Sequence, residues 1–400
     1  MRPAVLGWRL RLHLSRGDVL FCVAVVVVYV IATEGYVVWG HLQWDRMMTL
    51  AEQAVHGRLD SPSFKGTVDS VDIGGRYFIA VGPLQLLPYL PFALIGGLQD
   101  RAGLIIGCAV GSTAGALALP LARAYGARGS AAYWVASFAA FGSLLLYVSV
   151  FGDFYYLAQA ESFLALTLFL IEWAGRRRPL ALGGYMAISF LARPTTILAA
   201  IPFGLALMWR QRDALRLLVA ASLPIAIAIG IYGWFNWARF GSPLESGYAI
   251  SYLPQPGLEP RRALGLFSVL QVPENVRLAL LTPFQPLGHS PYFTASPYGL
   301  SMLLVSPALL TALWAGVRDR SAYLIWAAAG LVAIPVFLYY GGGYVQYGFR
   351  YSLDFTPFLI VLMALGSGRW KGPVERLLIL ASIVSVAYGV LWHSMLNLRQ

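Results

Sequence analysis

The chain has 400 residues, of which 58% are hydrophobic and only 12% are charged. This composition excludes an ordinary soluble domain, in which about a quarter of the residues are charged. The formal net charge of +11 does not indicate a nucleic-acid partner, because the arginines form short clusters between long apolar runs, a pattern that orients proteins in membranes. The two cysteines, Cys22 and Cys108, fall inside apolar runs and predict buried thiols rather than a disulfide or a metal site.

The first predicted element is a membrane anchor near the N-terminus. Arg2, Arg9, Arg11 and Arg16 precede an apolar run from Val19 to Ile31. Because no small-residue cleavage pattern follows this run, it predicts a retained signal anchor rather than a removed signal peptide. The positive charges ahead of the run lead us to expect a cytoplasmic N-terminus.

Long apolar segments recur along the whole chain, and a helix needs roughly 20 such residues to cross the hydrocarbon core. The sequence predicts eleven spans, at residues 18–40, 102–122, 130–151, 157–174, 180–192, 194–209, 217–237, 297–317, 321–340, 353–368 and 374–394. The stretch from Tyr77 to Leu98 is excluded because Pro83, Pro88 and Pro91 each remove a backbone donor. It predicts an interfacial or re-entrant segment within an all-α polytopic membrane protein.

The distribution of basic residues supports this count of spans. With the N-terminus inside, seventeen of the 29 Lys and Arg residues fall in cytoplasmic segments, while the short outer connections contain only Arg193, Arg350 and Arg399. Such an excess of basic residues is typical of cytoplasmic loops. Two long loops, residues 41–101 and 238–296, are then predicted to face outward, and functional groups are expected there.

Asp45 and Glu161 are the acidic residues that the sequence singles out. Each stands where an apolar segment meets an outer loop, a position at which neighbouring helices can shape a pocket and shift the pKa of a carboxyl group. Other outer acids, such as Glu52, Asp60 and Glu259, are more simply explained as solvated loop residues.

Signatures of familiar soluble enzymes are absent from the sequence, which has no Walker loop, no HExxH motif and no Rossmann glycine fingerprint. The histidines also lack metal-ligand spacing. They are His13, His41, His56, His289 and His393. The sequence therefore predicts no cofactor, and no motif in it supports a divalent metal.

Several short motifs follow one another in a recognisable order. In the first outer loop they are Trp44, Asp45, residues 51–57, Gly75–Tyr77 and Gly82–Pro83. Further along they are Ala192–Pro194, Asn236–Pro243, Gly247–Tyr248, Ser296–Leu300, Ser306–Pro307 and Gly348–Pro357. Together they resemble the GT-C superfamily of membrane glycosyltransferases, which includes protein mannosyltransferases and the aminoarabinose transferase of lipid A. The resemblance covers nearly the whole chain.

This resemblance implies a fold and a division of the chain. It implies a seven-helix core, interfacial helices in the first outer loop, and a second outer loop that bears an acid. Residues 1–237 would form a GT-C-like catalytic transmembrane module with the first outer loop at 41–101. Residues 238–296 would form a further outer loop, and residues 297–400 the C-terminal transmembrane helices. The sequence departs from the family where Asp45 is followed by Arg46 instead of a second acid, which weakens an inference of metal binding.

The resemblance also implies an activity. Such enzymes move a sugar from a polyprenyl phosphate donor in the outer leaflet to an acceptor, here with inversion in a single displacement. Asp45 is the candidate general base, and Glu161 is the next carboxylate to consider. Arg350 is the candidate cation for the departing phosphate. Further substrate-binding candidates are Tyr351, Arg193, Asp153, Tyr155 and Arg76.

Each of these roles has an alternative. Asp45 also suits a helix cap or a partner of Arg46, Arg350 suits an interface anchor among tyrosines, and Arg193 suits a charged turn. For the whole protein, the alternatives are a polysaccharide polymerase or ligase and a non-enzymatic lipid or sugar transporter. We expect the chain in a bacterial inner membrane with its active face outside. The sequence does not identify the sugar or the acceptor.

Overall fold

A computed structural model describes residues 15–39, 45–210, 213–255, 257–289, 292–316, 320–370 and 372–397. Several residues named above lie outside these ranges: Arg2, Arg9, Arg11, His13, His41, Trp44 and Arg399.

The chain as far as residue 192 contains the first outer loop and the first apolar helices. Its helices and strands are α1 (Arg16–Trp39), α2 (Arg46–Val55), β1 (Ser70–Ile73), β2 (Arg76–Ile79), α3 (Pro83–Leu86), α4 (Leu90–Ile95), α5 (Ala102–Ala124), α6 (Ser130–Ser137), α7 (Leu144–Val150), α8 (Phe154–Ala174) and α9 (Pro179–Ala192). A π-helical turn, Phe138–Gly142, joins α6 to α7, and the two parts are bent by 41°. Short 3-10 helices lie at Pro62–Phe64, Leu87–Tyr89 and Gln99–Arg101.

The remaining chain contains the second long loop and the C-terminal helices. Its elements are α10 (Ala200–Arg210), α11 (Ala214–Phe240), α12 (Leu258–Ala263), α13 (Val272–Leu280), β3 (Gln285–Pro286), β4 (Phe293–Thr294), α14 (Met302–Val305), α15 (Arg320–Leu338), α16 (Thr356–Gly366) and α17 (Val374–Asn397). Its 3-10 helices are Pro194–Ala199, Val269–Gln271, Pro307–Ala315, Arg350–Asp354 and Ser367–Arg369.

Within the described ranges, six helices are long and apolar enough to cross a membrane: α1, α5, α8, α11, α15 and α17. The bent pair of α6 and α7 makes a seventh if it is one span. Helices α9, α10 and α16 are apolar but shorter, and each coincides with a predicted span. The all-α polytopic class is therefore confirmed, whereas the total of eleven spans stays a prediction.

The predicted span at residues 297–317 has a different form. Helix α14 ends at Val305, and the described chain continues as the 3-10 helix Pro307–Ala315. The break falls at Pro307, which has no backbone donor to extend the preceding helix. Neither piece has the length of a transmembrane helix.

Helix α8 lies at the centre of the bundle and α11 lies at its edge. In the apolar stretch of α8, 78% of the residues are buried, against 6% in that of α11. Many large apolar side chains of α11 are accordingly exposed, among them Leu223, Ile227 and Trp234. We expect this helix to face lipid, since lipid tails are as apolar as these side chains.

The first outer loop contains a hairpin and short helices. Strands β1 and β2 pair antiparallel, with Ser70 opposite Ile79, and amphipathic α2 buries Met47 and Leu50 against this loop. The stretch from Tyr77 to Leu98 forms the rest of β2, then α3, a 3-10 turn and α4. Each of these helical pieces begins with a proline in its first turn. These short pieces do not form one continuous helix, and the interfacial or re-entrant position of this stretch stays a prediction.

Arg239, in the last turn of α11, holds the hairpin against the bundle. Its buried guanidinium donates to the carbonyl oxygens of Ile79 at 2.7 Å and Val81 at 3.0 Å. It also donates to Oδ1 of Asn236 at 3.2 Å. Charge-assisted bonds of this kind are stronger than neutral ones, so the end of α11 and the hairpin are firmly joined.

Candidate active site

A cavity of about 520 Å³ lies where the first outer loop meets the ends of several helices. Its wall includes side chains from α1, α5, α8, α11 and α17, and from the segment between α15 and α16. The charged residues in its wall are Asp45, Arg46, Asp69, Asp100, Asp153, Arg193 and Arg350. Six of the eight candidates from the sequence therefore meet here: Asp45, Asp153, Tyr155, Arg193, Arg350 and Tyr351.

Asp45 sits at the N-terminus of α2 and caps it. Its Oδ1 accepts the backbone N–H of Met47 at 2.9 Å and of Met48 at 3.4 Å. The predicted alternative of a helix cap is therefore real. Within the described chain, however, Asp45 forms no ion pair with Arg46, whose Nη1 donates instead to the carbonyl oxygen of Val68 at 2.8 Å.

The second carboxylate oxygen of Asp45 is not used by the cap. A Cβ placed on Gly103 would lie 2.8 Å from Oδ2 of Asp45, 2.8 Å from the Tyr89 hydroxyl and 2.3 Å from the carbonyl oxygen of Gly152. Only glycine allows α5 to approach this closely. Burial raises the pKa of Asp45 to about 6, although a hydrogen bond from Tyr89 opposes the shift. One oxygen thus holds the helix while the other belongs to a carboxylate that is easily protonated.

Asp153 and Asp69 bring two more carboxyl groups to the cavity. Asp153 caps α8, because its Oδ1 accepts the backbone N–H of Tyr155 at 2.8 Å. Asp69 has a left-handed backbone, with φ of 59°, and its Oδ1 accepts the hydroxyl of Ser251 at 3.3 Å. Burial raises the pKa of both carboxyl groups. Ser251 belongs to the second long loop, so Asp69 also ties the two outer loops together.

No metal cluster is evident among these acids. In the part of the chain that the structure describes, no group of three His, Cys, Asp or Glu side chains is placed to hold one metal ion. The charges that oppose the carboxyl groups come from arginines.

Arg350 is a buried cation with an incomplete set of partners. Only 7% of its surface is exposed, and its guanidinium lies 5.0 Å from the ring centre of Tyr156 and 5.3 Å from that of Tyr351. Among the described residues it forms no ion pair, and its Nε has no hydrogen-bond partner. A buried charge without a counter-ion is costly. Its burial also argues against an anchor at the membrane interface.

Arg193 also lies close to Tyr351, and its guanidinium is paired with a carboxylate. Its guanidinium is 5.0 Å from the ring centre of Tyr351. Its Nε and Nη2 donate to the carboxylate of Asp354 at 2.8 to 3.2 Å, and the Asp354 side chain is fully buried. This two-pronged contact neutralises Arg193 within the protein and links α9 to the 3-10 helix that carries Arg350.

Tyr155 contributes a ring rather than a charge. Its hydroxyl donates to the carbonyl oxygen of Val68 at 3.2 Å, and the Arg46 guanidinium lies 5.1 Å from its ring centre. Gln85 of α3 donates to the carbonyl oxygen of Phe154. These contacts fasten the first outer loop to the start of α8, where Asp153 and Tyr155 meet the cavity.

Two candidates from the sequence lie outside the cavity wall. Glu161 is buried in α8, two positions beyond Gln159, where the lining by this helix ends. Arg76 is 59% exposed and pairs with Asp60 at 2.7 Å. This contact with Arg76 lowers the pKa of Asp60 to about 2. The structure therefore places Arg76 in a surface ion pair and Glu161 inside the bundle.

Some cavity residues were not singled out by the sequence. Asp69 was one acid among many in an outer loop, and only its left-handed backbone and its contact with Ser251 bring it inward. Arg46 was treated mainly as a departure from a family motif. In the sequence His393 is only one of five histidines without metal-ligand spacing, yet it is buried in the cavity wall.

Comparison with known proteins gives a structural likeness only. No protein-family model matches the sequence, and no curated protein matches it. ArnT from Cupriavidus metallidurans, crystallised with undecaprenyl phosphate, is similar with a TM-score of 0.54 and 15% identity, over 92% of this chain and 63% of ArnT. The apo oligosaccharyltransferase of Archaeoglobus fulgidus has a TM-score of 0.50 and 15% identity, over 95% of this chain and 56% of that enzyme.

Both of these proteins are GT-C enzymes. This chain shares their fold, which agrees with the resemblance that its sequence motifs suggested. The chain spans less than two thirds of the length of either one. At this level of identity the likeness concerns the fold, and an activity must be argued from the cavity itself.

Proposed function

We propose that this protein is a glycosyltransferase that moves a sugar from a polyprenyl phosphate donor to an acceptor. The proposal rests on two groups in the wall of one cavity. The first is a buried guanidinium, that of Arg350, which lacks an ion-pair partner among the described residues, and the second is the Asp45 carboxylate, whose pKa is raised. Arg350 has no ion pair among the described residues, and the pKa of Asp45 is about 6 because of burial. A phosphate ester would supply the missing anion, and an acceptor hydroxyl would supply the proton.

The proposed reaction is a single displacement at the anomeric carbon. The acceptor oxygen forms a bond to this carbon while the bond to the donor phosphate oxygen breaks and its electron pair passes to the phosphate. The acceptor proton passes to Asp45, and the configuration inverts. Arg350 stabilises the charge that develops on the leaving phosphate, which is where a preorganised cation is most effective.

The division of work at Asp45 supports its role as a base. Its cap bonds to Met47 and Met48 fix the orientation of the carboxyl group through Oδ1. A fixed side chain is well suited to accept a proton, because correct positioning lowers the entropic part of the barrier. The pKa of about 6 leaves Asp45 mostly ionised at neutral pH while keeping it more basic than an exposed aspartate.

The polyprenyl carrier is proposed from two observations. The similar ArnT structure contains undecaprenyl phosphate, and the cavity combines its charged groups with apolar side chains such as Val37, Leu104 and Leu258. A lipid-linked donor needs both kinds of surface, since its tail is apolar and its head is charged. The sugar and the acceptor are left open.

We further propose that the cavity faces the outer side of a bacterial inner membrane. Cavity residues come from the ends of α1, α9 and α17 and from the starts of α5 and α8, which the basic residues assign to one side. Single cysteines at Arg177 and Gln255, in a background that lacks Cys22 and Cys108, test this orientation. Gln255 should react with an impermeant thiol reagent in intact cells and Arg177 should not. The opposite pattern would reverse the orientation.

The direct test is transfer by the purified protein in lipid vesicles. A panel of radiolabelled undecaprenyl phosphate sugars is supplied with a membrane lipid and glycan extract, and labelled products are identified. We expect one donor to be consumed, with undecaprenyl phosphate released. Asp45→Asn protein is the matched control and should show little transfer. If folded wild-type protein consumes no donor but carries one across the bilayer, the transporter alternative replaces this proposal.

A further inference from the structure

His393, near the end of the C-terminal helix α17, lies in the wall of the cavity. The side chain is buried, with 7% of its surface exposed, and its ring stacks on Phe151 with a centre distance of 4.1 Å. Its Nδ1 is 2.9 Å from the hydroxyl of Tyr147. The ring is therefore fixed in position and orientation by α7 and the residue that follows it.

The hydrogen bond between the Tyr147 hydroxyl and Nδ1 of His393 is compatible with either ring tautomer. The backbone N–H of Tyr347 donates to the Tyr147 hydroxyl oxygen at 3.2 Å. When this hydroxyl donates its own proton to Nδ1 of His393, the ring hydrogen lies on Nε2, which then becomes a donor.

Nε2 of His393 has no hydrogen-bond partner in the described part of the chain, whose only hydrogen bond to this ring is the one at Nδ1. It is also not among the fully enclosed polar atoms that lack a partner, so it is accessible from the cavity. A buried N–H donor that meets a polar cavity is suited to an external acceptor, since leaving it unpaired costs free energy.

His393 and Arg350 converge on the same ring. The imidazole centre of His393 lies 6.3 Å from the ring centre of Tyr156, and the Arg350 guanidinium lies 5.0 Å from that ring centre. The hydroxyl of Tyr156 is held by the carbonyl oxygen of Val345 at 2.5 Å, which fixes the ring. Two donors of different charge therefore lie near the same ring, and both belong to residues in the cavity wall.

We propose that His393 binds the phosphate of the lipid donor through Nε2, beside Arg350, and that Tyr147 is a positioning residue that holds the required tautomer. This inference rests on the proposed function, because it assumes that the anion at Arg350 is a phosphate. It adds a residue of the last helix to the binding site. Arginine supplies charge, whereas a neutral imidazole supplies a directed hydrogen bond to one phosphate oxygen.

Binding experiments separate a phosphate contact from simple packing. The probes are undecaprenyl phosphate and undecaprenol, which differ only in the phosphate, and the variants are His393→Leu and His393→Gln. We expect His393→Leu to lose about 10-fold to 100-fold in affinity for the phosphate with undecaprenol binding unchanged. His393→Gln, which keeps a donor near the position of Nε2, should stay within about threefold of wild type. Tyr147→Phe should lie between them.

An NMR measurement on wild-type protein avoids any dependence on variant folding. In protein labelled with ¹⁵N-histidine, the Nε2 signal of His393, assigned by its loss in His393→Gln, should shift with undecaprenyl phosphate and not with undecaprenol. A signal that ignores the phosphate overturns the inference. So does His393→Leu protein that keeps phosphate affinity or loses both lipids equally.

The same experiment distinguishes this inference from the proposed function. If Arg350→Ala abolishes binding of undecaprenyl phosphate and His393→Leu leaves the affinity unchanged, only the role of His393 is wrong. If wild-type protein binds no undecaprenyl phosphate, the proposed function fails together with it.

Discussion

Two arginines lie close to Tyr351: Arg350 is buried, and Arg193 is partly buried, with 24% of its side chain exposed. The guanidinium of Arg193 lies 5.0 Å from its ring centre and that of Arg350 lies 5.3 Å away. Arg193 forms an ion pair with the fully buried carboxylate of Asp354. Arg350 forms no ion pair among the described residues, and its Nε has no hydrogen-bond partner. The protein supplies the counter-charge for a cation that supports its fold. A buried cation without one is left for a ligand.

Arg239 shows that neutral oxygen acceptors can also satisfy the hydrogen-bond donors of a buried guanidinium. Its donors go to the carbonyl oxygens of Ile79 and Val81 and to Asn236. Its contacts are therefore all within the protein, like those of Arg193. Of these three arginines, Arg350 is the one that combines the absence of an ion pair among the described residues with an Nε that has no hydrogen-bond partner.

The largest effect on the rate of transfer is expected when Asp45, the proposed general base, is replaced. In Asp45→Asn the base is removed, and loss of general-base catalysis lowers the rate by about 10²-fold to 10⁴-fold. The helix should survive, because Asn caps nearly as well as Asp. Single-turnover transfer from radiolabelled donor, measured together with donor affinity, tests this.

Donor affinity close to that of wild type is expected for the same variant, since the phosphate is held by other residues. If Asp45→Asn transfers sugar at a near-normal rate, Asp45 only caps α2. Asp69 and Asp153, which share the cavity, would then be the next carboxylates to replace.

A loss of stability is expected when the ion pair of Arg193 with Asp354 is broken. Asp354→Asn leaves the partly buried Arg193 without its counter-charge, and the cost in the free energy of unfolding should be below the value of about 3–5 kcal/mol that is typical of a fully buried pair. Denaturant titration in detergent micelles measures this cost. The double variant Arg193→Met with Asp354→Leu should recover most of it, because an apolar pair can replace a buried ion pair. If Asp354→Asn is as stable as wild type, the ion pair with Asp354 is not what distinguishes Arg193 from Arg350.

Arg350→Ala should show the reverse pattern, with activity lost and stability kept. Removal of a group that stabilises developing charge costs about 10²-fold to 10³-fold in turnover. The unfolding free energy should not fall as it does for Asp354→Asn, since no partner charge is stranded. Arg350→Lys should recover part of the activity, because it restores charge without the planar fork. Normal turnover by folded Arg350→Ala protein would exclude a phosphate site at Arg350.

The smallest of these effects is a pH dependence. Burial raises the pKa of Asp45 to about 6, and the base works only when ionised. Single-turnover transfer should therefore be flat above neutral pH and fall about tenfold for each pH unit below 6. Residual transfer by Asp45→Asn should lack this step. A profile without a break between pH 5 and 7 would contradict the assignment.

The apolar spans could be predicted well because they depend on local composition. Helices α1, α5, α8, α11 and α17 begin and end within a few residues of the predicted bounds. The stretch 77–98 is divided into short helical pieces, as its prolines predict, since prolines act locally on the helix that contains them. The segment at 297–317 is apolar on average, and its division at Pro307 into two short pieces was not predicted.

The site could be predicted only in part. Asp45 stands out in the sequence because its charge borders an apolar run, whereas Arg350 was named through the resemblance to a family. The partner of Arg193 could not be found in this way, since Asp354 lies 161 positions along the chain. Likewise, His393 reaches Tyr147 across 246 positions. Pairings over such separations depend on how helices pack, which local patterns do not encode.

The hydrogen bonds between Arg239 and the hairpin would make the position of the hairpin depend on the thickness of the surrounding bilayer. Helix α11 has 27 residues, a length of about 40 Å, whereas the hydrocarbon core is about 30 Å thick. Such a helix changes its tilt when the bilayer becomes thinner or thicker. Because Arg239 is bonded to Ile79 and Val81, a change of tilt would pull on β2 and, through the hairpin, on Asp69. The thickness of the surrounding bilayer would then act mechanically on the cavity, independently of any lipid that binds in it.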